Sequence, residues 1–162
     1  MGLFDKLLGK GAKEFVIGAP VDGECVPLSE VSDPTFGEEI LGKGVAIRPA
    51  NGKIKAPADG TVSTVFPTGH AVAVTTDDGV EILVHIGLDT VSLNGDGFTK
   101  HVEEGQKVKK GDLLIEADLA KISAQYDTIT PMIVCNTSDY KEVRGETGKT
   151  VAAGEDVLFI TP

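Results

Sequence analysis

Short runs of β-branched residues, each closed by a turn residue, dominate the chain and constrain its fold. Twenty glycines and eight prolines interrupt the 162 residues. Valine, isoleucine and threonine between such breaks are typical of strands. The pattern predicts an all-β fold, an antiparallel β-sandwich or barrel-like arrangement of many short strands. The candidate strands are Phe15–Ile17, Glu24–Leu28, Val45–Arg48, Lys53–Lys55, Thr61–Phe66, His70–Thr75, Val80–Ile86, Leu113–Ala117, Met132–Asn136 and Val157–Ile160.

Two turn sequences occur twice and indicate two pseudo-repeated halves. Ala19–Gly23 and Ala56–Gly60 share the pattern A-P-x-D-G, and Gly105–Asp112 and Gly148–Glu155 share G-x-x-V-x-x-G followed by an acid. Glycine and aspartate supply turn geometry at such positions. Lipoyl and biotinyl carrier domains use similar turns, so a swinging-arm carrier is a competing hypothesis. Ala117–Gln125 has a weak helical period and predicts one or two short helical turns.

Length, charge and cysteine content limit the class of protein. We expect a single domain over residues 14–162, preceded by a tail over residues 1–13. The net charge of −10 disfavours binding to nucleic acid. The sequence has neither an apolar run of about 18 residues nor a secretory signal, which favours a cytoplasmic location. Cys25 and Cys135 stand far apart, which fits a reduced compartment, and we expect both to be buried as small apolar residues.

The tail has an amphipathic pattern. Leu3, Phe4, Leu7 and Leu8 fall on one side of a short predicted helix, and lysines fall on the other. Two interpretations stay open. The tail is either a docking or disordered segment, or a weak peripheral anchor on an anionic membrane surface.

Two of the three histidines flank the predicted hairpin turn Thr76–Gly79, whose loop is expected to be either all four residues or Asp78–Gly79 alone. An even-numbered loop between the two strands would place His70 and His85 on the same sheet face, within about 5–8 Å, whereas an odd loop would separate them. His85 alternates with Val84 and Ile86, so it faces away from the predicted core. Such a pair suits metal binding, acid–base chemistry or phosphoryl transfer. A two-histidine metal-dependent hydrolase therefore stays an alternative, and His101 is expected to be solvated.

A long block around these histidines resembles a known family. Phe66–Val72, Val80–Val91 and Leu93–Phe98, including the pattern H-x-G-x-D-T-V from His85, resemble the glucose-type enzyme IIA of the bacterial phosphoenolpyruvate-dependent sugar phosphotransferase system. The likeness extends from about Phe15 to the end of the chain. It implies an antiparallel β-sandwich.

The resemblance also implies a function and site residues. The histidine matching His85 accepts the phosphoryl group on Nε2, the one matching His70 stabilises the transferred group, and the threonine matching Thr68 orients His70. The group comes from the histidine-containing phosphocarrier protein and goes to a cysteine of the IIB domain of a glucose-type permease. The unphosphorylated form would also regulate other proteins. No cofactor is expected beyond the covalent phosphohistidine, and zinc enters only as a possible interface ligand of the histidine pair.

Further positions match the family's partner-binding surface. The apolar ones would ring His85, although core packing is an equal alternative for each, and the two aspartates would lie at the rim unless they serve local turns. A lysine-modified carrier stays an alternative through Lys121, and the protein is expected to be a monomer. The partner-binding residues are Asp33, Phe36, Ile40, Leu41, Phe66, Asp89 and Val91.

Overall fold

The computed structural model describes residues 13–162, and its strands form an antiparallel β-sandwich. The predicted tail, with Leu3, Phe4, Leu7 and Leu8, lies outside the described residues apart from Lys13. No helix between residues 13 and 162 has the length and apolar composition needed to cross a bilayer. The strands are β1 (Phe15–Gly18), β2 (Gly23–Pro27), β3 (Lys43–Pro49), β4 (Lys53–Lys55), β5 (Gly60–Val65), β6 (Ala71–Thr76), β7 (Glu81–His85), β8 (Phe98–Lys100), β9 (Lys107–Val108), β10 (Leu113–Ala117), β11 (Thr130–Val134), β12 (Glu142–Gly145), β13 (Lys149–Val151) and β14 (Asp156–Thr161).

Between residues 13 and 162, two short α-helices and three 3₁₀ turns accompany the strands. Helix α1 (Pro34–Gly37) was not predicted, because the Asp33–Pro34 pair is typical of a turn. Helix α2 (Leu119–Ser123) lies within the predicted helical segment. The 3₁₀ turns are Leu28–Glu30, Thr90–Leu93 and Thr137–Asp139.

The strand order has an internal symmetry that matches the sequence repeats. The large sheet has eight strands in the order β13-β2-β3-β11-β7-β6-β5-β9, and two three-stranded sheets have the orders β1-β14-β12 and β4-β10-β8. The repeated A-P-x-D-G turns come after β1 and β4, where they make reciprocal bonds: Gly18 N donates to Pro57 O (2.9 Å) and Lys55 N donates to Pro20 O (2.7 Å). The prediction of two similar halves is therefore confirmed.

The core lies between the large sheet and the two small sheets. Inward-facing residues of the large sheet, such as Val45, Met132 and Val84, pack with Leu114 and Leu158 of the small sheets. A second apolar cluster lies on the other face of the large sheet. That cluster contains Val26, Leu28, Val31, Phe36, Ala46, Leu88, Ile129 and Ile133, with Leu83 packed against it.

The two cysteines lie in different environments. Cys25 is fully buried, as predicted, and both thiols are free. The prediction for Cys135 was wrong, because this residue follows the last residue of the buried strand β11 and is exposed.

Candidate functional site

His85 ends strand β7 on the face of the large sheet that is turned away from the main core. Ile82 and Val84 of this strand are buried in the core, and the alternation of side chains sends His85 to the opposite face. There it is only partly buried, and its ring lies 4.9 Å from that of Phe36. The imidazole is thus held by packing on one side and accessible on the other.

The backbone just after His85 fixes its tautomer. His85 Nδ1 lies 2.7 Å from the carbonyl oxygen of Gly87. A carbonyl only accepts, so Nδ1 carries the hydrogen and the lone pair is left on Nε2. Gly87 has a φ of +77°, and a Cβ there would lie 2.7 Å from Thr90 Cγ2 and 2.8 Å from Asp127 O. Only glycine fits this position without displacing the carbonyl that orients the ring.

His70 reaches His85 by a route that differs from the prediction. Thr75 pairs with Glu81, and Ala71, not His70, pairs with His85. This is the register of an odd loop, so the expected even loop was wrong. The two rings are nevertheless 5.0 Å apart and inclined at 82°. His70 precedes the first residue of β6 and follows the turn residue Gly69 (φ +76°), so strand alternation does not set its direction.

His70 is fixed both through its ring and through its backbone. Thr68 Oγ1 is hydrogen-bonded to His70 Nδ1. When the hydroxyl donates this bond, Nε2 carries the hydrogen and becomes a donor toward His85. The carbonyl of His70 accepts from Ile86 N at 2.7 Å, which ties the turn to the end of β7. Thr68, His70 and His85 therefore form one cluster, as the family resemblance implies.

Burial keeps both imidazoles neutral at pH 7. Desolvation, with a smaller contribution from His85, lowers the pKa of His70 to about 4. Desolvation also lowers the pKa of His85, although the Gly87 carbonyl and the charges of Asp33 and Asp89 act in the opposite direction. A neutral imidazole with an open Nε2 is a nucleophile.

The predicted partner-binding residues separate into two groups by exposure. Ile40, Leu41 and Val91 are 67%, 41% and 50% exposed, on the segments that follow α1 and the Gly87 turn. Phe36 is only 4% exposed and belongs to the second apolar cluster, so it supports His85 and is not part of an exposed surface. Phe66 is partly buried, with its ring 5.3 Å from that of His70.

The two aspartates near His85 have different local roles. Asp33 is partly buried and caps α1, where its Oδ1 accepts from Thr35 N at 3.0 Å. Asp89 is exposed, with a φ of +60° just before the 3₁₀ turn. The Asp33 side chain thus serves the local backbone. Both carboxylates also lie close enough to favour the protonated form of His85 and so to raise its pKa.

Sequence reasoning missed the residues that hold the loop after His85. Thr90 is fully buried, and its Oγ1 donates to Ile86 O at 2.6 Å. Leu88 N donates to Asp127 O at 2.9 Å. The block H-x-G-x-D-T-V contains Gly87 and Thr90, but the pattern alone assigns neither a role. Asp127 lies far along the chain and gives no signal in the sequence.

Metal or lysine chemistry has little support within the described part of the chain. Between residues 13 and 162, no group of three or more histidine, cysteine, aspartate or glutamate side chains is placed to hold a metal ion. Lys121, the candidate for covalent modification, lies in α2 and donates to Asp96 at 2.8 Å. It is not at the tip of a hairpin, where a swinging arm would need to be.

A β-sandwich that presents two neighbouring, largely desolvated imidazoles has a site of a kind that suits phosphoryl transfer, and comparison with known proteins identifies the family. Residues 15–140 match the family model described as "phosphoenolpyruvate-dependent sugar phosphotransferase system, EIIA 1". The chain is 46% identical over 155 residues to the "PTS system glucose-specific EIIA component" of Oceanobacillus iheyensis, covering 95% of this chain and 94% of that protein. The structure matches glucose permease IIA from Mycoplasma capricolum with a TM-score of 0.84 and 40% identity, over 91% of this chain and 96% of that one.

The chain belongs to the EIIA 1 family of the phosphoenolpyruvate-dependent sugar phosphotransferase system. It is a phosphotransferase component in sugar transport. The identification from the sequence pattern is confirmed.

Proposed function

We propose that His85 is the phosphoryl acceptor, that the donor is a histidine-containing phosphocarrier protein, and that the recipient is a cysteine of the IIB domain of a glucose-type permease. The observation that carries this proposal is the bond of His85 Nδ1 to Gly87 O at 2.7 Å, which leaves the Nε2 lone pair free. The names of the relatives, both of which refer to glucose, support the type of permease.

The proposed transfer consists of two successive displacements at phosphorus. The Nε2 lone pair of His85 forms a bond to phosphorus as the phosphorus–nitrogen bond of the donor phosphohistidine breaks, and the electron pair of that bond returns to the donor imidazole. In the second step a cysteine thiolate forms a bond to phosphorus as the bond between phosphorus and His85 Nε2 breaks, and the electron pair of that bond returns to the His85 imidazole. Because one labile bond replaces another, the site supplies mainly alignment and charge stabilisation.

His70 has a supporting role in this proposal. Its ring lies 5.0 Å from that of His85, which supports a contact with a phosphoryl group carried on Nε2. With Thr68 donating to Nδ1, His70 Nε2–H donates to a phosphoryl oxygen and offsets its charge. The rise of negative charge would also favour protonation of this ring.

We assign partner docking to the exposed apolar residues beside the histidine pair. Ile40, Leu41 and Val91 offer apolar area, and Asp89 offers negative charge to a basic partner face. The same surface would serve the unphosphorylated form in regulating other proteins. Ile40→Ser should weaken binding to the phosphocarrier protein. Val16→Ser is the matched control, because Val16 is also exposed but lies near the β6–β7 turn, at the other end of β7 from His85.

Intact-protein mass spectrometry tests the proposal. The chain is incubated with phosphoenolpyruvate, enzyme I and the phosphocarrier protein, with a known acceptor as the control for active donors. We expect an acid-labile gain of about 80 Da, one phosphoryl group, that is absent in His85→Ala. His70→Gln should still gain the group but pass it poorly to the IIB domain. Phosphorylation of His85→Ala, or equal loss of acceptance in both variants, would contradict the assigned roles.

A further inference from the structure

The segment over residues 94–100 supports the turn that carries Thr68 and His70. A Cβ at Gly95 would lie 3.6 Å from Thr68 O, so the backbones of these two residues are in contact. Lys100 Nζ donates to Pro67 O at 3.0 Å from the other end of the segment. A change in the backbone at residues 94 and 95 therefore acts directly on the turn that orients His70.

The pair Asn94–Gly95 within this segment has a reactive chemistry that the phosphoryl carrier function does not use. Asparagine amides are thermolabile in proteins, and a following glycine leaves the next backbone nitrogen free of steric hindrance. Asn94 is exposed and has a φ of +53°, and Gly95 has a φ of +91°. Among residues 13–162, the side-chain amide of Asn94 has only a marginal contact, 3.5 Å from Nδ2 to Ser92 O.

The chain contains a second Asn–Gly pair that is held in place. Asn51 Nδ2 donates to Asp22 Oδ2 at 3.0 Å, and Asn51 Oδ1 accepts from Lys53 N at 2.9 Å. Gly52 is packed so closely that a Cβ there would lie 1.8 Å from Ala117 O. Both atoms of this amide are thus fixed, which makes the pair an internal control.

We propose that Asn94 is a site of spontaneous deamidation and isomerisation that affects the phosphoryl site. The backbone nitrogen of Gly95 forms a bond to Cγ of Asn94, the Cγ–Nδ2 bond breaks, and ammonia leaves with the proton from the backbone nitrogen. Water then opens the resulting succinimide at either carbonyl, giving aspartate or isoaspartate. Isoaspartate carries the side-chain methylene within the main chain, so it displaces Gly95 from Thr68.

Ageing of the full chain in mildly alkaline buffer tests the modification. Deamidation is followed as a gain of about 1 Da in peptide maps, and isoaspartate is detected by enzymatic methylation of its α-carboxyl group. The product at Asn94 should form about tenfold faster than that at Asn51, as expected from the two hydrogen bonds that hold Asn51. Equal rates, or a faster reaction at Asn51, would overturn the proposal.

Two variants sharpen this comparison. Asn94→Gly, which accepts a positive φ, should remove the modification and keep phosphoryl acceptance. Asp22→Ala frees Nδ2 of Asn51 and should accelerate deamidation there. No acceleration at Asn51 would show that the amide contacts do not control the rate, which contradicts the reasoning.

The effect on transfer rests on the proposed function, but the modification does not. The isoaspartate form, separated by ion exchange, should still accept the phosphoryl group from the phosphocarrier protein but pass it several-fold more slowly to the IIB domain. An unchanged transfer rate would refute the link to His70, whereas the mass measurement stands whether or not His85 is the acceptor.

Discussion

Acid should destabilise the protein through His70, and His70→Gln should remove this part of the pH dependence. His70 is only 5% exposed, and its burial lowers the pKa of its imidazole to about 4. In the unfolded chain the same group titrates near 6.5. Between these two values the unfolded chain binds a proton that the folded chain does not, so the free energy of unfolding falls as the pH falls.

The size of the effect follows from these two pKa values. One pKa unit corresponds to about 1.4 kcal/mol. Between pH 7 and pH 5 the unfolded state of the wild type gains about 2 kcal/mol from protonation of His70, and near pH 4 about 3 kcal/mol. His70→Gln has no proton to bind at this position. Between pH 7 and pH 5, the free energy of unfolding of the variant should therefore fall by about 2 kcal/mol less than that of the wild type.

Urea unfolding at pH 7, 6 and 5 measures the difference. The slope of the free energy of unfolding against urea concentration should be equal for the two proteins, so that a shift of the midpoint reports a change in stability alone. The absolute stability of His70→Gln is immaterial, because the change between pH values is what is compared. Parallel pH profiles for the two proteins would refute the reasoning, since they would mean that His70 gains its proton in the folded state as easily as in the unfolded one.

Three further substitutions test the support of the site. Gly87→Ala should lower the free energy of unfolding by at least about 1–2 kcal/mol from backbone strain and should also slow phosphoryl acceptance. Gly79 has a similar φ, and no atom of the described residues lies within 4 Å of a Cβ placed there. Gly79→Ala should therefore lower only the stability, and thermal unfolding together with the mass assay measures both effects. Thr68→Val should leave phosphoryl acceptance intact and slow the onward transfer, because it removes the hydrogen bond to His70 Nδ1. Thr68→Ser keeps the hydroxyl and should restore the transfer rate. An equal defect in both variants would argue against the role of this hydrogen bond. Phe36→Ala should cost about 3–5 kcal/mol because it opens a cavity under the site, and a loss below about 1 kcal/mol in urea unfolding would contradict its burial.

The sequence predicted most of the fold because the central strands are apolar and their ends are marked by turns. It missed β8, β9, β12 and β13, and the strand orders place all four at sheet edges. Edge strands carry polar and charged residues that protect against aggregation, so they lack the apolar signal of a central strand. In contrast, the repeated turn sequences predicted the internal symmetry of the fold directly.

The site was predictable in its members but not in its geometry. His70 and His85 were predicted from the residue pattern and Thr68 from the family resemblance, and the structure brings the three side chains together. The register is odd, however, and His70 reaches His85 because it lies outside β6, after Gly69. The alternation of side chains along a strand does not predict the direction of a side chain that is positioned by the turn before the strand.

The pairing of the first and last strands has a mechanical consequence. Phe15 lies opposite Ile160 in the β1–β14 pair, so the two ends of the described chain lie side by side at one end of this sheet. A force that pulls these ends apart would load the hydrogen bonds of this pair one after another, as in a zipper, and would open it at low force. Neighbouring ends also let a second domain be joined at either terminus without rearrangement of the sheets. The domain is therefore weak under tension between its ends, and it is easily used as a module in a longer chain.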